Sequence, residues 1–157
     1  MESETFTLIY EKYRDAVFRI AVTYLKNKAD ALDAVQEVMI RVYRHDGTFA
    51  SEEHLQRWIM KTAVNVCRDQ LKSFWKRGRA DADLTLFPAR EDPDRLLLEE
   101  VFALPLKYRS VIYLHYYENY PLKEISEMLR ISESAAKMRA KRGRELLRLE
   151  LEKEEIR

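Results

Sequence analysis

Apolar residues recur at three- and four-residue steps along most of the chain, which is the spacing of one face of an α-helix. In the first such helix they are Phe6, Ile9, Tyr13, Val17, Ile20 and Tyr24, and the pattern is interrupted at Asn27 and Lys28. A second helix is predicted from about Asp30 to Arg44, with an inward stripe of Ala31, Val35, Val38 and Val42. A third begins near Ser51 or Glu52, with Leu55, Ile59, Ala63, Val66 and Leu71 inward. Three amphipathic helices of this kind can share one core.

The segment from Lys76 to Asp94 loses this periodicity, contains two prolines and changes from basic to acidic, as linkers do. Periodicity resumes at Leu97 and breaks at Pro105 and at 119–121. A short helix from Leu122 to Leu129, a tight turn at 130–132 and a final helix from Glu133 to about Glu150 follow. We predict an all-α protein of two small helical domains, 1–75 and 96–157, joined by a flexible linker at 76–95.

Composition excludes several classes of protein. The net charge of +1 favours neither a nucleic acid nor a membrane partner, so any electrostatic surface must come from local clustering. Cys67 is the one cysteine and is predicted to be a small buried apolar residue, while three scattered histidines do not suggest a metal site. We find no Gly-rich phosphate loop and no nucleophile constellation, and we expect no catalytic residues and no metal or other cofactor.

The N-terminus lacks an apolar leader and no apolar run approaches the roughly 20 residues that span a bilayer, so a cytoplasmic location is expected.

The C-terminal helix pair carries the clearest functional pattern. Its inward residues are Ile125, Leu129, Ala136, Ala140, Gly143 and Leu147, with Ile131 in the turn. Small side chains allow two helices to cross closely, as in a helix-turn-helix, and Ser132 is a suitable N-cap. Outward lie Lys137, Lys141, Arg144 and Arg148, flanked by Arg139 and Arg142. Such a basic ridge suits DNA phosphates. The alternative is a solvated helix face, but Glu133 and Glu145 are the only acids in this helix before Glu150.

These residues resemble region 4 of the extracytoplasmic-function group of sigma-70-type sigma factors, whose helix-turn-helix binds the minus-35 promoter element. The matching positions are Leu104, Pro105, Arg109, Glu124, Ile125, Lys137, Arg139, Arg142 and Arg144. The resemblance implies a minus-35 contact set of Ser134, Lys137, Met138, Arg139, Lys141, Arg142, Arg144 and Arg148. The chain departs from the family at 134–136, where Ser-Ala-Ala replaces Gly-Thr-Val, and at Arg130, which replaces glycine. A left-handed Arg130 would cost roughly 1 kcal/mol relative to glycine.

The N-terminal half resembles region 2 of the same family. Asp33, Gln36 and Glu37 match the helix that docks on the polymerase clamp, and the resemblance implies a docking set of Asp33, Gln36, Glu37, Ile40, Arg41 and Arg44. Residues 49–73 resemble the loop and helix that open the minus-10 element and hold an unstacked base. The contact set implied there is Ser51, His54, Trp58, Lys61, Asn65, Arg68 and Lys72. From residue types alone, an amphipathic helix with a solvated basic side, and Trp58 as a core residue, would explain this segment equally well.

The resemblance implies an RNA polymerase sigma factor that directs promoter-specific initiation and catalyses nothing itself. Its expected partners are promoter DNA, the clamp and flap of core RNA polymerase, and an anti-sigma factor, with no small-molecule substrate and no direct membrane insertion. We expect no regulation by a fused extension after Arg157. Two alternatives remain: a helix-turn-helix regulator that binds an operator without polymerase, typically as a dimer, and a helical adaptor whose basic face meets an acidic protein.

Overall fold

The structure is a computed structural model that describes residues 1–76 and 99–156, with side chains for residues 1–74 and 99–149. All regular secondary structure among the described residues is helical, which confirms the predicted all-α class. The chain divides into two compact units, Met1–Asp83 and Leu84–Arg157. None of the helices in the described ranges is both long and apolar enough to cross a membrane. Apart from Lys76, the predicted linker lies outside the described residues.

The first unit contains α1 (Ser3–Leu25), α2 (Lys28–Tyr43) and α3 (Glu52–Lys76), each packed against the other two. The side chains at the centre of its core are completely buried and come from all three helices: Val17, Ile20 and Val22 from α1, Val38 and Val42 from α2, and Ile59, Met60 and Val64 from α3. All four residues of the predicted inward stripe of α2 are buried, so the three-helix core predicted from periodicity is confirmed.

The turn between α1 and α2 is shorter than the sequence pattern suggested. Lys26 adopts a left-handed conformation (φ 54°) and its N–H donates to the carbonyl oxygen of Val22, which ends α1. Asn27 then caps α2, its side-chain oxygen accepting the N–H of Asp30 at 3.0 Å. Lys28 is therefore the first residue of α2 rather than part of an interruption, and α2 begins two residues before the predicted Asp30.

Cys67 lies on the buried side of α3, completely enclosed by this core. Burial raises the pKa of its thiol to about 12, because the charged thiolate cannot be solvated there. A thiol in that state is not a nucleophile at neutral pH. The prediction that Cys67 serves as a small buried apolar residue is confirmed.

The second unit contains α4 (described over 99–103), α5 (Leu106–Ile112), a π-helical turn (Tyr113–Tyr117), α6 (Leu122–Leu129) and α7 (Glu133–Ile156). The bounds predicted for α6 are those observed, whereas α7 continues six residues beyond Glu150. The π-helical turn was not predicted, because three- and four-residue spacing does not distinguish it from the end of an α-helix. Part of the core is formed by Val101, Leu104, Ile112 and Leu147.

A buried arginine joins α4 to α5. Arg109 is 5% exposed, and its Nη1 donates to the carbonyl oxygens of Phe102 at 3.3 Å and Leu104 at 2.9 Å. These carbonyls lie at the end of α4, where helix geometry leaves them without an intrahelical partner. Arg109 thereby supplies the hydrogen bonds that the chain loses as it passes through Pro105 into α5.

Candidate nucleic-acid interface

The helix-turn-helix is formed by α6 and α7, which pack against each other through small and aliphatic residues. Ile125 and Leu129 on α6 and Ala136 and Ala140 on α7 are all buried. Gly143, further along α7, faces α5 so closely that a Cβ there would lie 2.6 Å from Cγ1 of Ile112. Small residues on this side of α7 allow its close packing, as predicted, but Gly143 faces α5 rather than α6, its partner in the helix-turn-helix.

The three-residue turn between the two helices is closed by hydrogen bonds of the backbone and of Ser132. Arg130 is left-handed (φ 56°, ψ 44°), and the N–H of Ile131 donates to the carbonyl oxygen of Ser126 at 3.0 Å. Ser132 Oγ accepts the N–H of Ala135 at 3.0 Å, which confirms it as the N-cap of α7. The left-handed conformation of Arg130 costs about 1 kcal/mol relative to glycine at the same position.

The outward side of α7 presents the predicted contact residues to solvent. Those exposed are Ser134, Lys137, Met138, Lys141, Arg142, Arg144 and Arg148, while Arg139 is half-buried. Lys137 lies 3.7 Å from Glu133, and Arg142 lies 3.3 Å from Glu145. Exposed pairs of this kind contribute at most about 1 kcal/mol, so phosphate oxygens can replace the glutamates at little cost.

One partner of this surface comes from outside the helix pair and was not predicted. Nη1 of Arg144 donates to the hydroxyl oxygen of Tyr116 at 3.0 Å, across 28 residues of sequence. Tyr116 belongs to the π-helical turn and is exposed. The hydrogen bond holds the Arg144 guanidinium at the edge of the basic surface. Tyr116 lies in an apolar, aromatic-rich segment, so the sequence gave no indication that it would bind Arg144.

In the first unit, the predicted minus-10 residues of α3 lie on one stripe. Trp58, Lys61, Asn65, Arg68 and Lys72 follow one another at steps of three, four, three and four. Lys61 and Lys72 are exposed, and the other three are half-buried. The stripe therefore combines cations with polar and aromatic groups at the surface of the helix.

The loop before α3 rests on an aromatic cluster around Trp58. The ring of His45 stacks on Phe49 with centroids 4.6 Å apart and lies 4.8 Å from Trp58, while Phe49 lies 5.6 Å from both Trp58 and His54. Trp58 is thus half-buried at the loop rather than deep in the core. His45 and Phe49 were not predicted, because they flank a non-helical segment in which periodicity carries no information.

Polar contacts fix the end of this loop that leads into α3. Ser51 Oγ accepts the N–H of His54 at 3.1 Å, and the N–H of Ala50 donates to Nδ1 of His54 at 3.2 Å. Ser51 and His54, both predicted as DNA contacts, therefore also shape the loop. Beside it, an open cavity of about 510 Å³ is lined by Thr5, Ile9, Phe49 and other residues of the first turns of α1 and the loop.

Glu52 attaches the start of α3 to α1. Its Oε1 accepts hydrogen bonds from Lys12 Nζ at 2.6 Å and from the Tyr13 hydroxyl at 2.5 Å. These two hydrogen bonds lower the pKa of the Glu52 carboxyl, because both stabilise its charged form. The negative charge of Glu52, beside the predicted minus-10 loop, is thus compensated by a cation of α1.

The outer face of α2 carries all six predicted docking residues on one stripe. Asp33, Gln36, Ile40, Arg41 and Arg44 are exposed; Glu37 is half-buried, with its Oε1 3.2 Å from Nε of Arg41. Leu32 and Tyr43, which were not predicted, are 52% and 47% exposed at the edge of the same stripe. This face therefore offers apolar as well as charged contacts.

Comparisons with known proteins assign the chain to a family. The sequence profile of Sigma-70 region 2 matches residues 9–77, and that of Sigma-70, region 4 matches residues 95–147. RNA polymerase sigma factor SigV of Bacillus subtilis is 32% identical over 149 residues, which cover 92% of this chain and 89% of SigV. The chain belongs to the extracytoplasmic-function group of sigma-70-type RNA polymerase sigma factors. Members of this family are non-enzymatic initiation factors that bind core RNA polymerase and promoter DNA.

Further relatives agree with this assignment. The extracytoplasmic-function sigma factor SigW of Bacillus subtilis is 28% identical, with 96% of this sigma factor and 90% of SigW covered. The sigma factor RpoE of Bartonella quintana, solved with the anti-sigma factor NepR, superposes with a TM-score of 0.81 at 16% identity, covering 95% and 98% of the two chains. CnrH, solved with the cytosolic domain of CnrY, gives a TM-score of 0.64 at 17% identity, covering 96% and 90%. The two structures support the fold.

Proposed function

We propose that this sigma factor contacts a promoter at two places, through domain 1–75 at the minus-10 element and through domain 96–157 at the minus-35 element. The observation that carries the proposal is the division of α7 into two sides. One side is closed by Ala136, Ala140 and Gly143, while the opposite side presents lysines and arginines to solvent. A helix with this division can enter a major groove without losing its packing.

At the minus-35 element, residues in the first turns of α7 contact bases and the later cations contact phosphates. Ser134 and Met138 lie near the N-terminus of α7, where a recognition helix reaches base edges. Lys137, Arg139, Lys141, Arg142, Arg144 and Arg148 neutralise phosphates and release counterions. Tyr116 supports this contact by holding Arg144.

At the minus-10 element, the stripe on α3 meets the DNA backbone and the loop receives a base. Lys61, Arg68 and Lys72 neutralise phosphates, while Ser51, His54, Trp58 and Asn65 face the opened strand. Capturing an unstacked base requires a pocket with polar and aromatic walls. The cavity beside the loop, with Phe49 at its wall, supports this proposal.

Core RNA polymerase binds the outer face of α2. Asp33, Gln36, Glu37, Ile40, Arg41 and Arg44 form the interface, and the exposed Leu32 and Tyr43 give it apolar area at its edge. Interfaces of this mixed kind are typical of partners that associate and separate. An anti-sigma factor is proposed to cover these surfaces, as supported by the solved complexes of RpoE with NepR and CnrH with CnrY. The chain itself catalyses no reaction and acts where the polymerase acts, in the cytoplasm.

In vitro transcription with purified core polymerase and a library of genomic promoter fragments tests the proposal. The full chain is expected to produce new transcripts that core enzyme alone does not, all starting at a fixed distance from a shared pair of sequence elements. The absence of any added initiation by a folded chain would contradict it. Binding to the same fragments without polymerase, as a dimer on a palindrome, would instead support the regulator.

The proposed polymerase interface on α2 can be tested in the same assay by comparing two substitutions. Asp33→Ala is expected to raise the concentration of sigma factor needed for half-maximal transcription. Glu11→Ala removes the same charge from an exposed position of α1 and is expected to leave that concentration unchanged. Equal effects of the two substitutions would remove Asp33 from the polymerase interface.

A further inference from the structure

Met138 is the most exposed large apolar side chain among the described residues, at 72%. Single exposed apolar residues are common on protein surfaces, so position has to decide whether this one has a role. Met138 lies two residues after Ala136 and two before Ala140, both completely buried. Two residues correspond to about 200° of helical rotation. Met138 therefore projects almost directly away from the core, from the second turn of α7.

The surroundings of Met138 indicate what covers it. Lys141 and Arg142 follow it by three and four residues, so its neighbours towards the C-terminus on the exposed surface are cations. Ser134, one turn earlier on the same face, is small and polar. An acidic, apolar or lipid surface could each use part of this arrangement. A major groove uses all of it, because phosphates border a floor of base edges that includes one apolar group.

That apolar group is the C5-methyl of thymine, which projects into the major groove and is the base feature that an apolar side chain can recognise there. We propose that Met138 contacts a thymine methyl in the upstream promoter element and so makes that thymine a determinant of promoter choice. The inference rests on the proposed function of α7 and adds the chemical identity of one recognised base. The methionine side chain is long and flexible enough to reach that methyl group in the groove.

Replacing thymine by uracil tests the contact, because uracil keeps the base pair and lacks only the methyl. The full chain, assembled with core polymerase, is titrated on a promoter selected in the transcription assay, with each thymine of the upstream element replaced in turn by deoxyuridine. At one position binding is expected to weaken roughly fourfold, the ratio that corresponds to withdrawing one methyl group from an apolar contact.

The Met138→Ala variant is expected to bind the thymine and uracil promoters equally, and both about as weakly as wild type binds uracil. Because Met138 is exposed, this substitution should leave the fold intact. Leu149→Ala is the matched control: Leu149 is also an exposed apolar residue of α7, 50% exposed, but lies eleven residues further on, about 16 Å along the helix. It should discriminate thymine from uracil as wild type does.

Three results would overturn the inference: no sensitivity to uracil at any position in wild type, unchanged sensitivity in Met138→Ala, or an upstream element without thymine on either strand. A failure of the proposed function is distinct from all three. In that case the wild-type holoenzyme would bind the selected promoter no better than a shuffled duplex of the same composition, and the thymine contact would fall with it.

Discussion

The two surfaces proposed to meet DNA are stabilised by contacts that differ greatly in sequence separation. In the helix-turn-helix, the turn is fixed by hydrogen bonds from Ile131 to Ser126 and from Ala135 to Ser132, all within a few residues of one another. The loop before α3 depends on Glu52, which is held by Lys12 and Tyr13 from 40 and 39 residues away. A local surface follows from a local sequence pattern, whereas the loop depends on the whole first unit being folded.

The chemistry of the two sets of contacts also differs. The second unit, which carries the helix-turn-helix, is stabilised by buried groups, Arg109 and Gly143 among them. The loop is supported by a half-buried aromatic cluster and by hydrogen bonds to the exposed side chain of Glu52. Substitutions of those buried groups should therefore act mainly on the free energy of unfolding, and those at the loop mainly on promoter opening. Three substitutions test this difference, taken from the largest expected change in stability to the smallest.

Arg109→Ala should have the largest effect. It removes two hydrogen bonds that a charged donor makes to the carbonyl oxygens of Phe102 and Leu104 at a buried corner, which should destabilise the second unit by about 3 kcal/mol. Urea unfolding followed by far-ultraviolet circular dichroism would show it. Trp58 and Trp75 both lie in the first unit, so tryptophan fluorescence should report an unchanged transition.

The control for Arg109→Ala is Lys107→Ala, which removes the same charge from an exposed residue two positions away. Its expected effect is within about 0.5 kcal/mol, as for most surface substitutions. Equal shifts for the two variants, or a fluorescence transition that moves with the circular dichroism, would contradict the assignment of Arg109 to the second unit's core.

Gly143→Ala should have an intermediate effect. The added Cβ would meet Ile112 at 2.6 Å from Cγ1 and 2.9 Å from Cδ1, and Ile112 is itself only 1% exposed. Overpacking of this kind costs about 1–3 kcal/mol, against a gain of roughly 0.5–1 kcal/mol for replacing a helical glycine. We expect a net loss of about 1 kcal/mol by urea unfolding.

Adding Ile112→Val to Gly143→Ala removes Cδ1 and should make the pair less destabilising than the sum of the two single changes. Strict additivity would mean that α7 shifts away from α5 instead of pressing on Ile112. In that case minus-35 binding should weaken in Gly143→Ala even where the unit remains folded, and the glycine would be a determinant of the DNA surface rather than of stability.

These cases explain how much could be predicted from the sequence. Periodicity and N-cap chemistry predicted α6, the N-cap Ser132 and the buried stripe of α7, because each depends on neighbours in sequence. The left-handed Arg130 was implied only by the resemblance to a family whose turn has glycine there. They gave neither His45 and Phe49 under the loop nor Tyr116 beside Arg144, because those contacts exist only once distant segments have packed. The π-helical turn was missed for a different reason, since its spacing resembles that of an ordinary helix end.

Glu52→Gln should have the smallest effect on stability and a clear one on promoter opening. The side chain is exposed, so the urea midpoint should not change measurably. Glutamine loses the charged hydrogen bonds to Lys12 and Tyr13, and we expect open-complex formation to fall roughly two- to fivefold. Potassium permanganate footprinting of the minus-10 region measures this, with Glu53→Gln, the neighbouring exposed acid, as the control.

The pH dependence of this difference sharpens the comparison between loop and helix-turn-helix. Because the pKa of Glu52 lies below its ordinary value of 4.5, the carboxylate stabilises the folded loop at any higher pH, and that contribution is lost only as the pH falls through the lowered pKa. The defect of Glu52→Gln should therefore be constant across about pH 6 to 8. A defect that varied within this range would contradict the assignment of the effect to the Glu52 carboxylate. An equal defect in Glu53→Gln would show that the negative charge of Glu52, and not its hydrogen bonds to Lys12 and Tyr13, accounts for the effect.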